Sequence, residues 1–160
     1  MYNILVTGGA GYLGSTMVPD LLAAGHSVTV LDNFMFKQSS LNHCCHHPNF
    51  KVVKGDIRDV PKLTKSLEGN EYVLHLACIS NDTSFELNEE LSTTINLEAF
   101  EPLVSAAKSV GVKRFIYASS SSVYGVSDAP EVFEDHALIP LTLYNKYKGM
   151  CEPLLLNHTD

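Results

Sequence analysis

Tyr144 and Lys148 stand four residues apart in a stretch of helical spacing, so they differ by about 40° of rotation and share one face. A phenol of pKa near ~10 is a poor base at neutral pH, and an ammonium beside it favours the phenolate and lowers that value. By itself the pair carries little weight, because Tyr and Lys four apart occur on many solvated helix faces. Ser119-Ser120-Ser121-Ser122 adds to it. The run closes the apolar stretch Val112–Ala118, and a hydroxyl at the carboxyl end of a strand can meet both a phenol and a substrate oxygen. The plainer alternative for four serines is a flexible turn.

A second constellation lies at the other end of the chain. Thr7-Gly8-Gly9-Ala10-Gly11-Tyr12-Leu13-Gly14 places glycines at 8, 11 and 14, where an apolar β-branched run gives way to a helical pattern. A dinucleotide pyrophosphate needs a tight turn, close approach by bare backbone and the positive end of a helix, which glycines at a strand–helix junction supply. Asp32 ends the next apolar run 18 residues after Gly14, near the spacing at which an acidic residue accepts hydrogen bonds from the adenosine ribose. Its charge would repel a 2′-phosphate, which favours NAD over NADP. The competing reading is a structural turn with a strand-end aspartate acting as a cap. Asp56-Ile57 falls at the same carboxyl edge, where open α/β sheets bind ligands.

These residues need a scaffold, and the apolar pattern supplies one. Strands are expected at Asn3–Thr7, Ser27–Leu31, Phe50–Val53, Glu71–Leu76 and Val112–Ala118, with helical patterns over 11–24, 60–68 and 88–110 and from Tyr144 to Leu155. Asp59 can cap the second helix, Pro102 is expected to kink the third, and Gly149 and Pro153 are expected to interrupt the last. Residues 33–49 read as a polar loop. Apolar strands alternating with helices imply a doubly wound parallel sheet of about five strands, with helices on both faces and right-handed crossovers.

Composition agrees with one domain: 160 residues, 45% hydrophobic and 18% charged, suit a single globular core. A formal charge of -7 leaves no basic stripe for nucleic acid. No apolar run reaches the ~20 residues of a membrane helix, and the N-terminus lacks a signal-peptide pattern, so a cytoplasmic location is expected. The four cysteines are expected to be reduced thiols. His43-Cys44-Cys45-His46-His47 has metal-ligating residue types without the usual zinc spacing, so no metal is expected.

The chain resembles the extended short-chain dehydrogenase/reductase family, in particular its nucleotide-sugar epimerases and dehydratases of the UDP-glucose 4-epimerase kind. The resemblance rests on Thr7–Gly14, Asp32-Asn33, Gly55-Asp56-Ile57-Arg58, His75-Leu76-Ala77-Cys78, Asn96, Ser119–Gly125 and Tyr144-x-x-x-Lys148, in family order across nearly the whole chain. It implies a dinucleotide-binding Rossmann domain over residues 1–160, the N-terminal part of a longer family member that also has a substrate-binding lobe. It implies Tyr144 as acid/base, Lys148 as its electrostatic partner and as a holder of the nicotinamide ribose, and Ser120, aligned on Val123-Tyr124-Gly125, as the residue binding the reacting hydroxyl. Gly8, Gly11, Tyr12, Leu13, Gly14, Asp32, Asn33, Asp56, Ile57, Leu76, Ala77, Asn96, Tyr144 and Lys148 would hold NAD. Family dehydratases usually carry Thr-Asp-Glu where this chain has Ser120-Ser121-Ser122, which disfavours dehydration.

The expected function is therefore an NAD-dependent 4-epimerase acting on a nucleotide-sugar. A 4-keto reductase or dehydratase of the same family is the near alternative, and a non-catalytic NAD-binding module the distant one. The fifth strand would present Phe115-Ile116-Tyr117 on an open edge, so a homo-oligomer or a completing C-terminal segment is expected to cover it.

Overall fold

The computed structural model describes residues 1–80 and 88–159, which fall into two compact units: Met1–Cys78 with Pro102–Ala118, and Ile79–Glu101 with Ser119 onward.

In the first unit, β1 (Asn3–Thr7), β2 (Ser27–Asp32), β3 (Phe50–Lys54), β4 (Tyr72–His75) and β5 (Arg114–Tyr117) form one sheet in the order β3-β2-β1-β4-β5. All four pairings are parallel; Val6 lies beside Val30 on one side and Leu74 on the other. This is the doubly wound order, with its reversal between β1 and β4. Helices α1 (Tyr12–Ala23) and α2 (Val60–Leu67) connect the early strands.

Alternation along each strand sorts the core into two layers. Ile4, Val6, Val28, Val30 and Leu74 pack with Val18 and Leu22 of α1 on one face. Leu5, Leu31 and Val73 take the opposite phase and are fully buried, as are Leu63 and Leu67 of α2. Buried on both faces, the strands read as continuous apolar runs, which is what parallel pairing requires. Asp59 caps α2 by accepting from the Lys62 amide at 3.1 Å, as expected of it. Both open edges mix charge with an exposed apolar side chain: β3 carries Lys51 and Lys54 beside Val52, and β5 carries Arg114 with Ile116 half exposed.

The long third helical pattern is broken in an unexpected place. It comprises α3 (Glu89–Thr93), a wider π turn (Thr94–Glu98) and α4 (Phe100–Ser109), and the Ala99 amide donates to the Thr94 carbonyl five residues back at 3.0 Å. Pro102 is the third residue of α4, in a first turn where a missing donor is tolerated, so the irregularity precedes the proline instead of occurring at it.

In the second unit, a short 3₁₀ turn (Ser121–Tyr124) and α5 (Leu143–Leu156) carry the remaining candidate residues. The expected interruption of this last helix does not occur. α5 runs unbroken through Gly149 and Pro153. A Cβ on Gly149 would lie 3.2 Å from Leu138 Cδ1 and 3.7 Å from Val123, so this glycine lets both side chains close on the helix.

Candidate active site

The glycine turn is built by three different demands on its glycines. Gly8 has φ +69°, and a Cβ there would lie 2.6 Å from the Ala77 backbone, so the turn rests against the exit of β4 at Leu76-Ala77. The Gly8 amide donates to the Leu31 carbonyl at 2.8 Å, and the Leu76 amide to that of Thr7 at 3.0 Å. A Cβ on Gly14 would be driven into the Gly9 carbonyl, so helix and turn touch through bare backbone. Gly11 is different. Its φ is an ordinary -78°, and a Cβ would meet only the Gly8 oxygen, at 3.2 Å.

Gly11 is also the N-cap of α1, with no side-chain cap and no acidic residue in the first turn, and Tyr12 and Leu13 beyond it are exposed. An uncapped twelve-residue helix with bare backbone at its start offers outward N–H groups and positive dipole to an anion.

Asp32 braces this turn. Its buried carboxylate accepts from the Ala10 amide at 3.0 Å through Oδ2, and through Oδ1 from the Phe34 amide at 2.8 Å and from Gln38 Nε2 at 3.2 Å. Ser40 Oγ donates to the Ala10 carbonyl at 2.7 Å, so both backbone groups of Ala10 are held by the segment after β2. That segment is tightly folded: Phe34 and Lys37 have φ of 56° and 53°, in the left-handed region that side chains seldom adopt. Gln38 Oε1 is buried and has no hydrogen-bond partner among the described residues. An orphaned acceptor beside the strand-end carboxylate suits a hydroxyl-bearing ligand. Nothing in the sequence singles out Gln38 or Ser40, since their roles come from tertiary contacts with Asp32 and Ala10.

Asp56 is engaged by its neighbours. Arg58 Nη2 donates to Oδ2 at 2.7 Å and Nε to Oδ1 at 2.9 Å, the Arg58 amide also donates to Oδ1, and Asn33 Nδ2 approaches Oδ2 at 3.4 Å. Hydrogen bonds from the Arg58 guanidinium hold the Asp56 carboxyl down to about 2. A carboxylate held below its unfolded value stabilises the fold above that value, and the contribution fades as pH falls from about 4 through about 2. Arg58→Ala is therefore expected to cost about 1 kcal/mol at pH 7, since the pair is partly exposed, and almost nothing at pH 2. Urea unfolding at the two pH values checks this; an equal loss at both would show that the ion pair contributes nothing. Ile57, next to it, is buried.

In the second unit, Tyr144 and Lys148 share one face of α5, with Lys148 Nζ 5.9 Å from the Tyr144 ring centroid. Lys148 is buried, 6% exposed, and Tyr144 is partly exposed, so a shielded positive charge lies beside a reachable phenol. Thr142 caps this helix through the Asn145 amide. Ser120 Oγ lies 2.6 Å from Ser122 Oγ, which lies 2.5 Å from Oδ1 of the buried Asn145. Ser119 pairs instead with Glu152. Asn96, in the π turn, closes both ends of its amide on the Ile79 backbone: Oδ1 accepts at 2.8 Å and Nδ2 donates at 2.9 Å. The π turn thus ties down the chain just past Cys78.

The His43–His47 run is spread by its fold. Cys44 belongs to the core and burial raises its thiol pKa, Cys45 Sγ donates to the Leu41 carbonyl, and His47 Nδ1 accepts from the Asn49 amide at 3.2 Å. Among the described residues, no three His, Cys, Asp or Glu side chains gather as a metal site would require, and no helix is long and apolar enough to cross a membrane.

Known proteins share this fold. The chain is 33% identical to a UDP-glucose 4-epimerase of Corynebacterium glutamicum over 148 residues, covering 91% of this chain and 43% of that one. The UDP-glucose-4-epimerase of Stenotrophomonas maltophila, solved with NAD and formylated UDP-arabinopyranose, superposes with a TM-score of 0.90 at 28% identity, covering 98% of this chain and 48% of that one. A dTDP-glucose 4,6-dehydratase of Streptomyces venezuelae with NAD bound gives 0.89 at 30% identity, covering 95% and 50%. The chain thus spans about half the length of these relatives. With the family profile matching residues 4–160 and the five strands forming one parallel sheet, the chain belongs to the NAD dependent epimerase/dehydratase family.

Proposed function

We propose that this chain is the cofactor-binding and acid/base part of an NAD-dependent nucleotide-sugar 4-epimerase. The observation that carries the proposal is the pairing of a buried Lys148 with Tyr144 beside a serine relay that lacks the dehydratase carboxylates, in a chain whose glycine turn suits a dinucleotide.

The residues present fit NAD. Bare backbone at Gly11 and the uncapped start of α1, with Tyr12, Leu13 and Gly14, would hold the pyrophosphate. Asp32 retains lone pairs beyond those given to Ala10, Phe34 and Gln38, and with Gln38 Oε1 it would take the adenosine ribose. Asn33, Asp56 and Ile57 would border the adenine, and Leu76 and Ala77 would flank the dinucleotide at the exit of β4. Asn96 would act by holding the Ile79 backbone in place. NAD, when bound, supplies a reversible acceptor for a hydride from a sugar carbon.

The protein's own residues handle the proton. Tyr144, as phenolate, takes it from the sugar 4-hydroxyl and later returns it, with the Lys148 ammonium favouring the ionised phenol and holding the nicotinamide ribose. Ser120 orients the reacting oxygen. Because the proton and the hydride are both returned, the sugar suffers no net oxidation. The whole enzyme would act in the cytoplasm on a sugar bound through its nucleotide. A second copy or further chain would cover β5, where Ile116 is exposed.

Calorimetric titration with NAD, paired with interconversion of UDP-glucose and UDP-galactose without added reductant, tests the proposal. NAD binding with conversion supports it; a stoichiometric need for NADH marks the reductase, and binding without any turnover marks a non-catalytic module. Asp32→Ala is expected to raise the affinity for NADP relative to NAD by on the order of tenfold, since it removes the charge facing a 2′-phosphate. Unchanged discrimination in a fluorescence titration would remove Asp32 from the ribose site and leave it only its bracing role.

A further inference from the structure

The hydrogen bonds around Ser120 have a direction. An amide oxygen accepts and cannot donate, so at 2.5 Å the Ser122 hydroxyl donates to Asn145 Oδ1. With its proton spent there, Ser122 Oγ can only accept in the 2.6 Å contact with Ser120, so the Ser120 proton points inward at Ser122. The Ser122 amide donates back to Ser120 Oγ at 3.2 Å and takes up one of its two lone pairs. Ser120 is left with one acceptor site and no proton to give.

We propose that Ser122 and Asn145 are positioning residues that set Ser120 as a one-site acceptor for the sugar hydroxyl, so that this chain engages the alcohol form of its substrate in preference to the ketone. The idea deepens the epimerase reading and rests on it for the identity of the donor. A hydroxyl has a proton for the remaining lone pair of Ser120, and a carbonyl has none. The hydroxyl has a single proton, so it is held through Ser120 on arrival and then turns about its C–O bond to present that proton to the Tyr144 phenolate. Asn145 immediately follows Tyr144 on α5 and is 7% exposed, so the anchor of the relay and the acid/base move as one rigid piece. The Thr142 cap on the Asn145 amide fixes the start of the same helix.

Two measurements on the 160-residue chain test this. In proton NMR at low temperature, the Ser120 and Ser122 hydroxyls are expected as slowly exchanging signals, because contacts of 2.5–2.6 Å protect them from solvent. Asn145→Asp, which keeps an acceptor and removes the possibility of reversal, should retain both signals. Asn145→Leu should lose that of Ser122. Absence of both signals in the wild type, or their equal loss in the Asp and Leu variants, would overturn the relay.

The second measurement is steady-state conversion of UDP-glucose. Ser122→Ala is expected to lower kcat about tenfold with KM little changed, the effect of removing one hydrogen bond that acts on the reacting step. Ser120→Ala combined with Ser122→Ala should be no slower than Ser120→Ala alone, because the second residue acts only through the first. Additive losses would overturn the positioning role. Protected hydroxyls in a wild-type protein whose turnover consumes stoichiometric NADH would uphold the relay and defeat the epimerase reading.

Discussion

Tyr144→Phe is expected to slow sugar-nucleotide conversion by roughly 10²- to 10⁴-fold, the range that one positioned acid/base contributes, while leaving NAD binding intact. The substitution removes a single oxygen. The ring keeps its place on α5 and its distance from Lys148, whose ammonium lies 5.9 Å from the ring centroid, so packing and charge are preserved and only the proton carrier is lost. Kcat should fall and KM change little, since the phenolate matters where the proton moves and little where the nucleotide binds. Progress curves at saturating substrate, with NAD titrated in parallel, give both numbers. Full activity in the phenylalanine variant would exclude Tyr144 as the acid/base, and loss of NAD binding along with turnover would show a structural defect instead.

What the sequence made legible is what local physics decides. The five strands, the turn at Gly8–Gly14 and the Asp59 cap follow from apolar runs, glycine spacing and a carboxylate three residues before an orphan amide, and each is found where those signals place it. Errors came where tertiary contacts override a local rule. Gly149 weakens a helix in isolation, but here it is the contact point for Val123 and Leu138, and α5 continues through it. Pro102 is harmless because it falls in the first turn of α4, and the break was displaced to the π turn, where Asn96 must reach the Ile79 backbone.

The candidate site divides along the same line. Residues with a spacing of their own, Tyr144 with Lys148 and the glycines with Asp32, could be read from the chain. Spacing alone suggested Asp32 as a ribose acceptor, but its grip on the Ala10 and Phe34 amides was not legible, because those partners are set by the fold of residues 33–40. Asn145, Gln38 and Ser40 belong to no motif. Asn145 and Ser40 acquire their roles only when a segment distant in sequence presents a hydroxyl or a carbonyl, and Gln38 only when the fold of residues 33–40 turns it back on the Asp32 carboxylate.

The three glycines of the turn give the sharpest separation between holding the fold and holding a ligand. A methyl at Gly14 would enter the Gly9 carbonyl, and neither partner can withdraw, since one is in α1 and the other in the turn that Asp32 and Ser40 pin at Ala10. Gly14→Ala is therefore expected to cost roughly 3 kcal/mol or more, a fall of about 10 °C in the melting temperature. Gly11→Ala has no such conflict: φ is -78° and the nearest atom is 3.2 Å away, so its melting temperature should stay within about 3 °C of wild type. That methyl would be resisted slightly by the Gly8 oxygen and strongly by a bound anion. Placed at the N-cap of α1, it would stand between bare backbone and a bound pyrophosphate, and the NAD dissociation constant should rise on the order of tenfold or more. Calorimetric titration beside thermal melts reads both effects on the same samples. Were Gly11→Ala to bind NAD as tightly as the parent, the pyrophosphate would have to lie elsewhere, because the protein itself asks only that the Gly8 oxygen give way by a few tenths of an ångström.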